Sequence, residues 1–425
     1  MAEKAVSIRS YVERLAKEAK RAASVLRDIP TETKNRALHE MALSLEEGSA
    51  KILAANAQDV KEAKAKGVRD AFLDRLLLNE ERIKEMARGL REVAALPDPV
   101  GEVIRQWQRP NGLLIRKVRV PIGVVGIIYE ARPNVTSDCA GLCLKSGNSV
   151  ILRCGSEALR SSRAIHRQLQ LGIRKAGLPH GAVALISTAD RRAVDVLLGL
   201  VGWIDLVIPR GGEGLIRQVV AKAKVPVIKQ FKGVCHTYVD ETADLQMAEE
   251  ICYNAKVQRP GVCNAMETLL VHRRIAKAFL PAMARRYLQA NVELRGDPEV
   301  RKILKGMPVR PATEEDWYTE YLALILSIKV VDSLEEAIAH IQRYGSGHSD
   351  AIVTQSPDRA ERFFRQIDSA CVYMNASTRF TDGGQFGLGA EIGISTDKLH
   401  ARGPMGLEEL TTYQYRVVGS GQVRQ

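Results

Sequence analysis

No run of about 18 uncharged apolar residues occurs anywhere in the chain, so a membrane-spanning helix is not expected. Met1-Ala2-Glu3-Lys4-Ala5 lacks the apolar stretch of a secretory leader. Aromatic residues are scarce at 5%. With no recognition-helix motif, zinc finger or aromatic RNA-binding signature, the chain lacks the footprint of a nucleic-acid reader. Its seven cysteines, at 139, 143, 154, 235, 252, 263 and 371, are odd in number and form no CxxC pair, so no disulfide framework is expected. Cys139 and Cys143 stand one helical turn apart, but no second Cys or His pair completes a zinc site. No metal is therefore expected, and these absences together point to a cytoplasmic protein with no membrane partner and no nucleic-acid partner.

What is present fits a globular enzyme. The 425 residues exceed one ordinary domain and suit two, and 45% hydrophobic with 26% charged residues is the usual globular mixture. A formal net charge of +12 attracts anions of every kind, so charge leaves nucleic acid, anionic membrane and anionic metabolites open. Motifs must decide among them.

From Ile8 to about Leu96, apolar residues spaced three and four apart predict packed helices. A break falls at Pro30-Thr31, and Asn79 stands as an N-cap before Glu80-Glu81. Turn-forming residues then cluster from Pro97 to Gly112. Around Pro110-Asn111-Gly112, the flanks 103–107 and 113–118 read as a two-stranded ribbon. A hairpin with no core face of its own predicts a subunit contact, and Thr411 to Val418 reads as a further strand of that kind. Short apolar runs at 123–128, 149–152, 182–186, 206–208 and 226–228 alternate with helical stretches such as 161–176 and 191–200. Such alternation predicts a parallel sheet covered by helices. A second alternating region has strand candidates at 268–271, 323–326, 351–353 and 372–374.

The segment Asn254-Ala255-Lys256-Val257-Gln258-Arg259-Pro260-Gly261-Val262-Cys263-Asn264-Ala265-Met266-Glu267-Thr268 sets a cysteine in a Pro-Gly loop just before a strand. Lys256 and Arg259 would lower the pKa of a thiol there, and Gly261 leaves room for backbone N–H groups to meet an oxyanion. On these residues alone two readings stand: a nucleophile, or a buried structural cysteine.

The segment resembles the active-site loop of gamma-glutamyl phosphate reductases, a branch of the aldehyde dehydrogenase superfamily. Further matches follow in the family's order: Tyr129-Glu130-Ala131-Arg132-Pro133-Asn134-Val135-Thr136, Leu144-Lys145-Ser146-Gly147-Asn148, Arg343-Tyr344-Gly345-Ser346-Gly347-His348-Ser349-Asp350 and Lys398-Leu399-His400-Ala401-Arg402-Gly403-Pro404-Met405-Gly406-Leu407. The resemblance covers roughly residues 8 to 416. It implies an aldehyde dehydrogenase-like α/β fold, two doubly wound parallel-sheet domains with a small oligomerisation hairpin. Cofactor binding would fall to residues 1–104 and 121–231, catalysis to 232–402, and oligomerisation to 105–120 and 403–425.

The resemblance also assigns residues. Cys263 falls on the family's nucleophile, and Asn134 on the asparagine whose amide donates to the oxyanion; an Asn-Val turn is the structural alternative. Arg153 and Ser156 stand where the superfamily meets the adenosine ribose. A basic residue and no acid at these two places favour NADPH over NADH, although Glu157 follows, and Cys154 replaces a glycine associated with the family. Gly211, Gly212 and Gly214, before a helix expected from about Leu215, match the cofactor's pyrophosphate loop. Gln230 occupies the place of the water-activating glutamate of hydrolytic relatives, and an amide accepts no proton near neutral pH. Many reductases carry histidine there, so Gln230 departs from both patterns. Arg343, Lys398 and Arg402 are matched as contacts to an anionic substrate, and His236, His348 and His400 remain for acid–base work.

The function implied is NADPH-dependent reduction of L-glutamate 5-phosphate to L-glutamate 5-semialdehyde in proline biosynthesis. A separate glutamate 5-kinase would supply the substrate as a transient partner, and the chain would be a homo-oligomer. The rival within enzymology is a hydrolytic NAD(P)-dependent aldehyde dehydrogenase.

Overall fold

A computed structural model describes residues 7–67 and 70–424; the segment read for a leader lies outside them. The chain divides into two compact units, one of Met1–Lys229, Gly387–Gly393 and Met405–Gln425, the other of Gln230–Phe386 and Ile394–Pro404. No helix among the described residues is long and apolar enough to cross a membrane.

The first unit opens with α1 (Ile8–Leu26), α2 (Thr31–Glu47), α3 (Ser49–Ala65), α4 (Asp70–Leu76) and α5 (Glu80–Ala95). Pro30 precedes α2, and Asn79 caps α5 by accepting from the Arg82 N–H at 2.8 Å, as the sequence predicts. Next come β1 (Val103–Gln108) and β2 (Leu114–Pro121), an antiparallel hairpin to which the strand Thr411–Val418 adds beside β2. After Thr411, that last strand is exposed throughout.

A four-stranded parallel sheet follows, built from β3 (Val124–Tyr129), α6 (Val135–Lys145), β4 (Ser149–Arg153), α7 (Leu159–Lys175), β5 (Val183–Leu185), α8 (Arg192–Gly199), β6 (Leu206–Arg210) and α9 (Glu213–Lys222), in the order β5-β4-β3-β6. Strands β3 and β4 are buried at every position, which is why they read as unbroken apolar runs. On one face Val124, Ile128, Ile151 and Val207 pack on Val12, Ala16 and Ala19 of α1 and on Ala193 and Leu197 of α8. The run 226–228 forms one isolated bridge, Val227 to Val207, instead of a strand. Pro226 accepts from the Val207 N–H at 2.9 Å but has no N–H with which to extend a ladder.

The second unit holds a seven-stranded parallel sheet. Its elements are β7 (Cys235–Val239), α10 (Leu245–Val257), β8 (Met266–His272), α11 (Arg273–Gln289), β9 (Glu293–Gly296), α12 (Pro298–Ile303), β10 (Val309–Pro311), α13 (Glu314–Tyr318), β11 (Ile325–Val331), α14 (Leu334–Tyr344), β12 (Ser349–Val353), α15 (Pro357–Gln366) and β13 (Cys371–Met374). The strand order is β10-β9-β11-β8-β7-β12-β13. Leu269 and Val271 of β8 face α10 and α11 through Cys252, Ala255, Phe279 and Met283. Leu270 faces the other way, onto Ile338 and Ile341 of α14 and Phe363 of α15. This alternation along one strand buries both faces under helices, the doubly wound arrangement.

Candidate active site

Cys263 sits in the turn-rich loop between α10 and β8. Of the seven cysteines, six are buried and Cys263 is half-buried, so its thiol alone combines a packed setting with solvent access. The loop is held from beneath. An ideal Cβ on Gly233 would stand 1.9 Å from the Cys263 carbonyl oxygen, so only glycine admits this backbone approach. The buried Cys235 thiol donates to that same oxygen at 3.2 Å and lies 3.7 Å from His348 Nδ1. Behind it run His348 Nδ1 to Ser349 Oγ at 2.8 Å, Ser349 Oγ to Thr381 Oγ1 at 2.6 Å, and Tyr373 Oη to Thr381 Oγ1 at 2.6 Å. The neighbouring Asn264 donates through Nδ2 to the Thr381 carbonyl at 2.8 Å, and its own carbonyl accepts from Thr378 Oγ1 at 2.8 Å. The Cys263 loop is therefore tied on both flanks, which fixes the position of the sulfur.

The charges around it differ from the sequence expectation. Lys256 is fully buried in an ion pair with Glu267, Nζ to Oε2 at 2.5 Å, so its charge is matched there. Burial pushes the lysine pKa down and the glutamate pKa up. The cation that takes its place is Arg379, a residue the sequence reading did not single out. Its guanidinium donates to Gln258 Oε1 at 2.9 Å and to the Asn264 side-chain carbonyl. Burial and the adjacent Arg259 charge lower its pKa, while Cys263 acts in the opposite sense. Arg379 thus presents positive charge to the Cys263 sulfur, with Arg259 beside it. The only sequence signal for Arg379 is that it is the sole Lys or Arg between Arg365 and Lys398.

The histidines sort by burial. His348 is fully buried, and burial drops its pKa to about 4. His236 is also buried, with Nδ1 3.0 Å from Asp350 Oδ1, and packs edge-on to His340. Both are packing groups. His400 is exposed.

In the first unit, Asn134 lies in the turn that opens α6 and makes no side-chain cap. Its Nδ2 donates to Asp138 Oδ2 at 2.9 Å. Protein packed around that carboxyl pushes its pKa up to about 6. Arg153, at the end of β4, is only 9% exposed and its Nε is buried without a partner. It makes no side-chain hydrogen bond or ion pair among the described residues, so it is no ordinary surface charge. A largely buried guanidinium with no protein partner carries a desolvation cost that an incoming anion would offset. Ser156 is exposed and donates to Glu157 Oε2 at 2.9 Å. The loop after β6 ends earlier than expected: Gly211 and Gly212 precede α9, and Gly214 lies in its first turn. Small residues let the helix begin at once, and Gly212 N–H donates to Glu130 Oε2 at 2.9 Å. A carboxylate at this helix N-terminus marks it as an anion-accepting position.

The three proposed substrate cations are each paired with a carboxylate. Arg343 pairs with Glu314 at 2.6 Å and lies over the Tyr344 ring. Lys398 and Arg402 converge on Asp368, at 2.5 and 2.8 Å.

A sequence model described as the aldehyde dehydrogenase family matches residues 2–302 and 311–413. The gamma-glutamyl phosphate reductase of Moorella thermoacetica is 59% identical over 414 residues, 97% of this chain and 99% of that protein. This chain belongs to the gamma-glutamyl phosphate reductase branch of the aldehyde dehydrogenase family. The gamma-glutamyl phosphate reductase of Carboxydothermus hydrogenoformans is 57% identical, covering 96% of this chain and 98% of that one. The crystal structure of gamma-glutamyl phosphate reductase from Thermotoga maritima superposes with a TM-score of 0.95 at 50% identity, over 97% of this chain and all of that one. An acetylating aldehyde dehydrogenase from Geobacillus thermoglucosidasius shares the fold at a TM-score of 0.70 and 16% identity, covering 98% of each chain. As a member of the gamma-glutamyl phosphate reductase branch, the chain is an oxidoreductase of a family that uses nicotinamide cofactors.

Proposed function

We propose that this chain reduces L-glutamate 5-phosphate to L-glutamate 5-semialdehyde with NADPH, releasing phosphate, as a step of proline biosynthesis. The observation that carries the reading is Cys263, the half-buried thiol on a braced loop among six buried cysteines, in a chain 59% identical to a gamma-glutamyl phosphate reductase. The Cys263 thiolate attacks the acyl carbon; the C–S bond forms, the C–O bond to phosphate breaks, and phosphate leaves. NADPH, when bound, supplies the hydride that turns the acyl thioester into the aldehyde. As the C–S bond breaks, Cys263 returns to the thiolate, favoured by Arg259 and Arg379.

Asn134 is assigned to the oxyanion. Its amide has two hydrogens: the one held by Asp138 orients the group, and the other remains to donate. Arg153 is assigned to the cofactor's 2′-phosphate, because its buried guanidinium otherwise lacks an anion, with Ser156 beside it. Gly211, Gly212 and Gly214 receive the pyrophosphate at the N-terminus of α9, where Glu130 would release the Gly212 N–H. Arg343, Lys398 and Arg402 bind the anionic groups of the substrate. Gln230 cannot activate water, which disfavours hydrolysis to the free acid.

The cofactor falls to residues 1–104 and 121–231, catalysis to 232–402, and self-association to 105–120 and 403–425. Exposed Val103, Tyr413, Tyr415 and Val417 of the ribbon suit a homo-oligomeric contact. A separate glutamate 5-kinase supplies the labile acyl phosphate as a transient partner. Seven cysteines, an odd number with no CxxC pair, suit the reducing cytoplasm.

The test runs the reaction in reverse, following NADP reduction with semialdehyde and phosphate. Wild type should require phosphate, and Cys263→Ala should lose at least about a thousandfold in turnover while keeping its Tm. Activity retained by the alanine variant overturns the mechanism, and phosphate-independent formation of free acid transfers the chain to the hydrolytic class.

A further inference from the structure

Helices α3 and α7 of the first unit line a cavity of about 320 Å³, within the range of roughly 300–1,000 Å³ typical of small-molecule pockets. Lys51 and Gln58 enter it from α3, and Arg160, Arg163, Arg167 and Gln168 from α7; no carboxylate is in the lining. The three arginines recur at helical spacing, which puts them on one face of α7, where like charges repel. A helix has no structural reason to gather three cations on a concave face. Only Arg160 is offset, by Asp59 at 3.3 Å and Glu62 at 2.6 Å. Lys51 and Arg167 carry no ion pair among the described residues. Arg163 donates to the Ser187 carbonyl, and its Nε is buried without a partner.

We propose that this cavity is a second anion site, separate from the cysteine loop and from Arg153 and Ser156, which takes the polyphosphate group of a small metabolite. The reasons are charge, shape and number. Three uncompensated cations around a concavity favour one compact multivalent anion over several single ones. Guanidinium forks match phosphate oxygens in bidentate geometry. A flat basic patch would suit a macromolecular surface, whereas these cations line a half-open concavity.

The experiment is calorimetric titration of the full chain at low salt in saturating NADP+, with inorganic pyrophosphate as the probe. One pyrophosphate per chain should bind, the affinity should fall steeply as salt rises, and orthophosphate should bind at least about tenfold more weakly. ATP serves as the second arm. Affinity equal to that of pyrophosphate leaves the nucleoside outside the site, and tighter affinity makes a nucleotide the source. The exposed residues of K51Q/R167Q should be replaceable with reductase activity and Tm unchanged, and pyrophosphate should then bind at least about tenfold more weakly. Ala55→Glu, which puts a carboxylate into the cavity, should weaken it comparably and serves if the double variant folds poorly. No binding of pyrophosphate or ATP by the wild type, loss of binding in NADP+, or unchanged affinity in these variants overturns the proposal.

Discussion

The Cys263 loop and the end of β4 are both short segments at the margins of parallel strands, yet they are built in opposite ways. Around Cys263 the polar groups are consumed internally: the Cys263 carbonyl by Cys235, Asn264 by Thr381 and Thr378, Lys256 by Glu267. At the end of β4, Arg153 is buried and its charge is left without a protein partner. A nucleophile gains from being fixed before the substrate arrives. A residue that binds an anion gains from keeping its bonding capacity unspent, at a cost in stability while it waits.

The comparison can be broken hardest at Gly233. A Cβ there would meet the Cys263 carbonyl oxygen at 1.9 Å and its Cα at 2.8 Å, so Gly233→Ala must displace the loop by about an ångström. A shift of that size costs on the order of 10²-fold in turnover. Rapid-mixing kinetics should show that loss in kcat while cofactor affinity, read by fluorescence titration, stays the same. An unchanged kcat would mean that the loop is adjustable and the bracing incidental.

The second break is by pH. Burial lowers the His348 pKa from 6.5 to about 4 in the fold. The unfolded chain takes up a proton below about 6.5 while the folded chain resists until about 4, so stability is full above about 6.5 and is lost as pH falls through that window. A shift of this size corresponds to up to about 3 kcal/mol. Urea unfolding at pH 7 and pH 4.5 should show the decline, and His348→Asn should reduce it, leaving the part contributed by His340 and His166, whose pKa values burial also lowers. At β4 the sign of the stability effect reverses: Arg153→Ala removes an unpaired buried charge, so Tm should hold or rise. KM for NADPH should nonetheless rise by about 10- to 100-fold with KM for NADH little changed.

The legible parts of the chain were those whose signal is local. Asn79 ahead of Glu80-Glu81, the Pro110-Asn111-Gly112 turn and the apolar runs of β3 and β4 carry their meaning within a few residues. Strand β7 was missed because its sequence, Cys235-His236-Thr237-Tyr238-Val239, looks half polar. His236 is buried because Asp350, a strand away, accepts from its N–H at 2.9 Å. Strands β9 and β10 were missed for their shortness and for Arg295 and Arg310. In the candidate site, Cys263 was legible from the Pro-Gly loop and the family resemblance. Arg379 was not, since only folding brings it against Gln258 and Asn264. The same blindness made Lys256 look free to act on the thiol when Glu267 holds it.

The weakest test separates the proposed substrate cations by how far each resembles Arg153. Arg402 is closest: its Nε is buried without a partner, although its terminal nitrogens are held by Asp368. Arg343 is far from it, with 64% of its side chain exposed and its charge already shared with Glu314. An exposed pair of that kind contributes about 0.2–1 kcal/mol, so Arg343→Ala should move unfolding stability by no more than about 0.5 kcal/mol. Its contact to the substrate, made in open solvent, should be similarly screened. KM for the semialdehyde should then rise about threefold in Arg343→Ala and about tenfold in Arg402→Ala, with kcat preserved in both. Equal effects would show that partner-free burial does not predict which cation the substrate uses, and the contrast drawn from Arg153 would not extend beyond the cofactor.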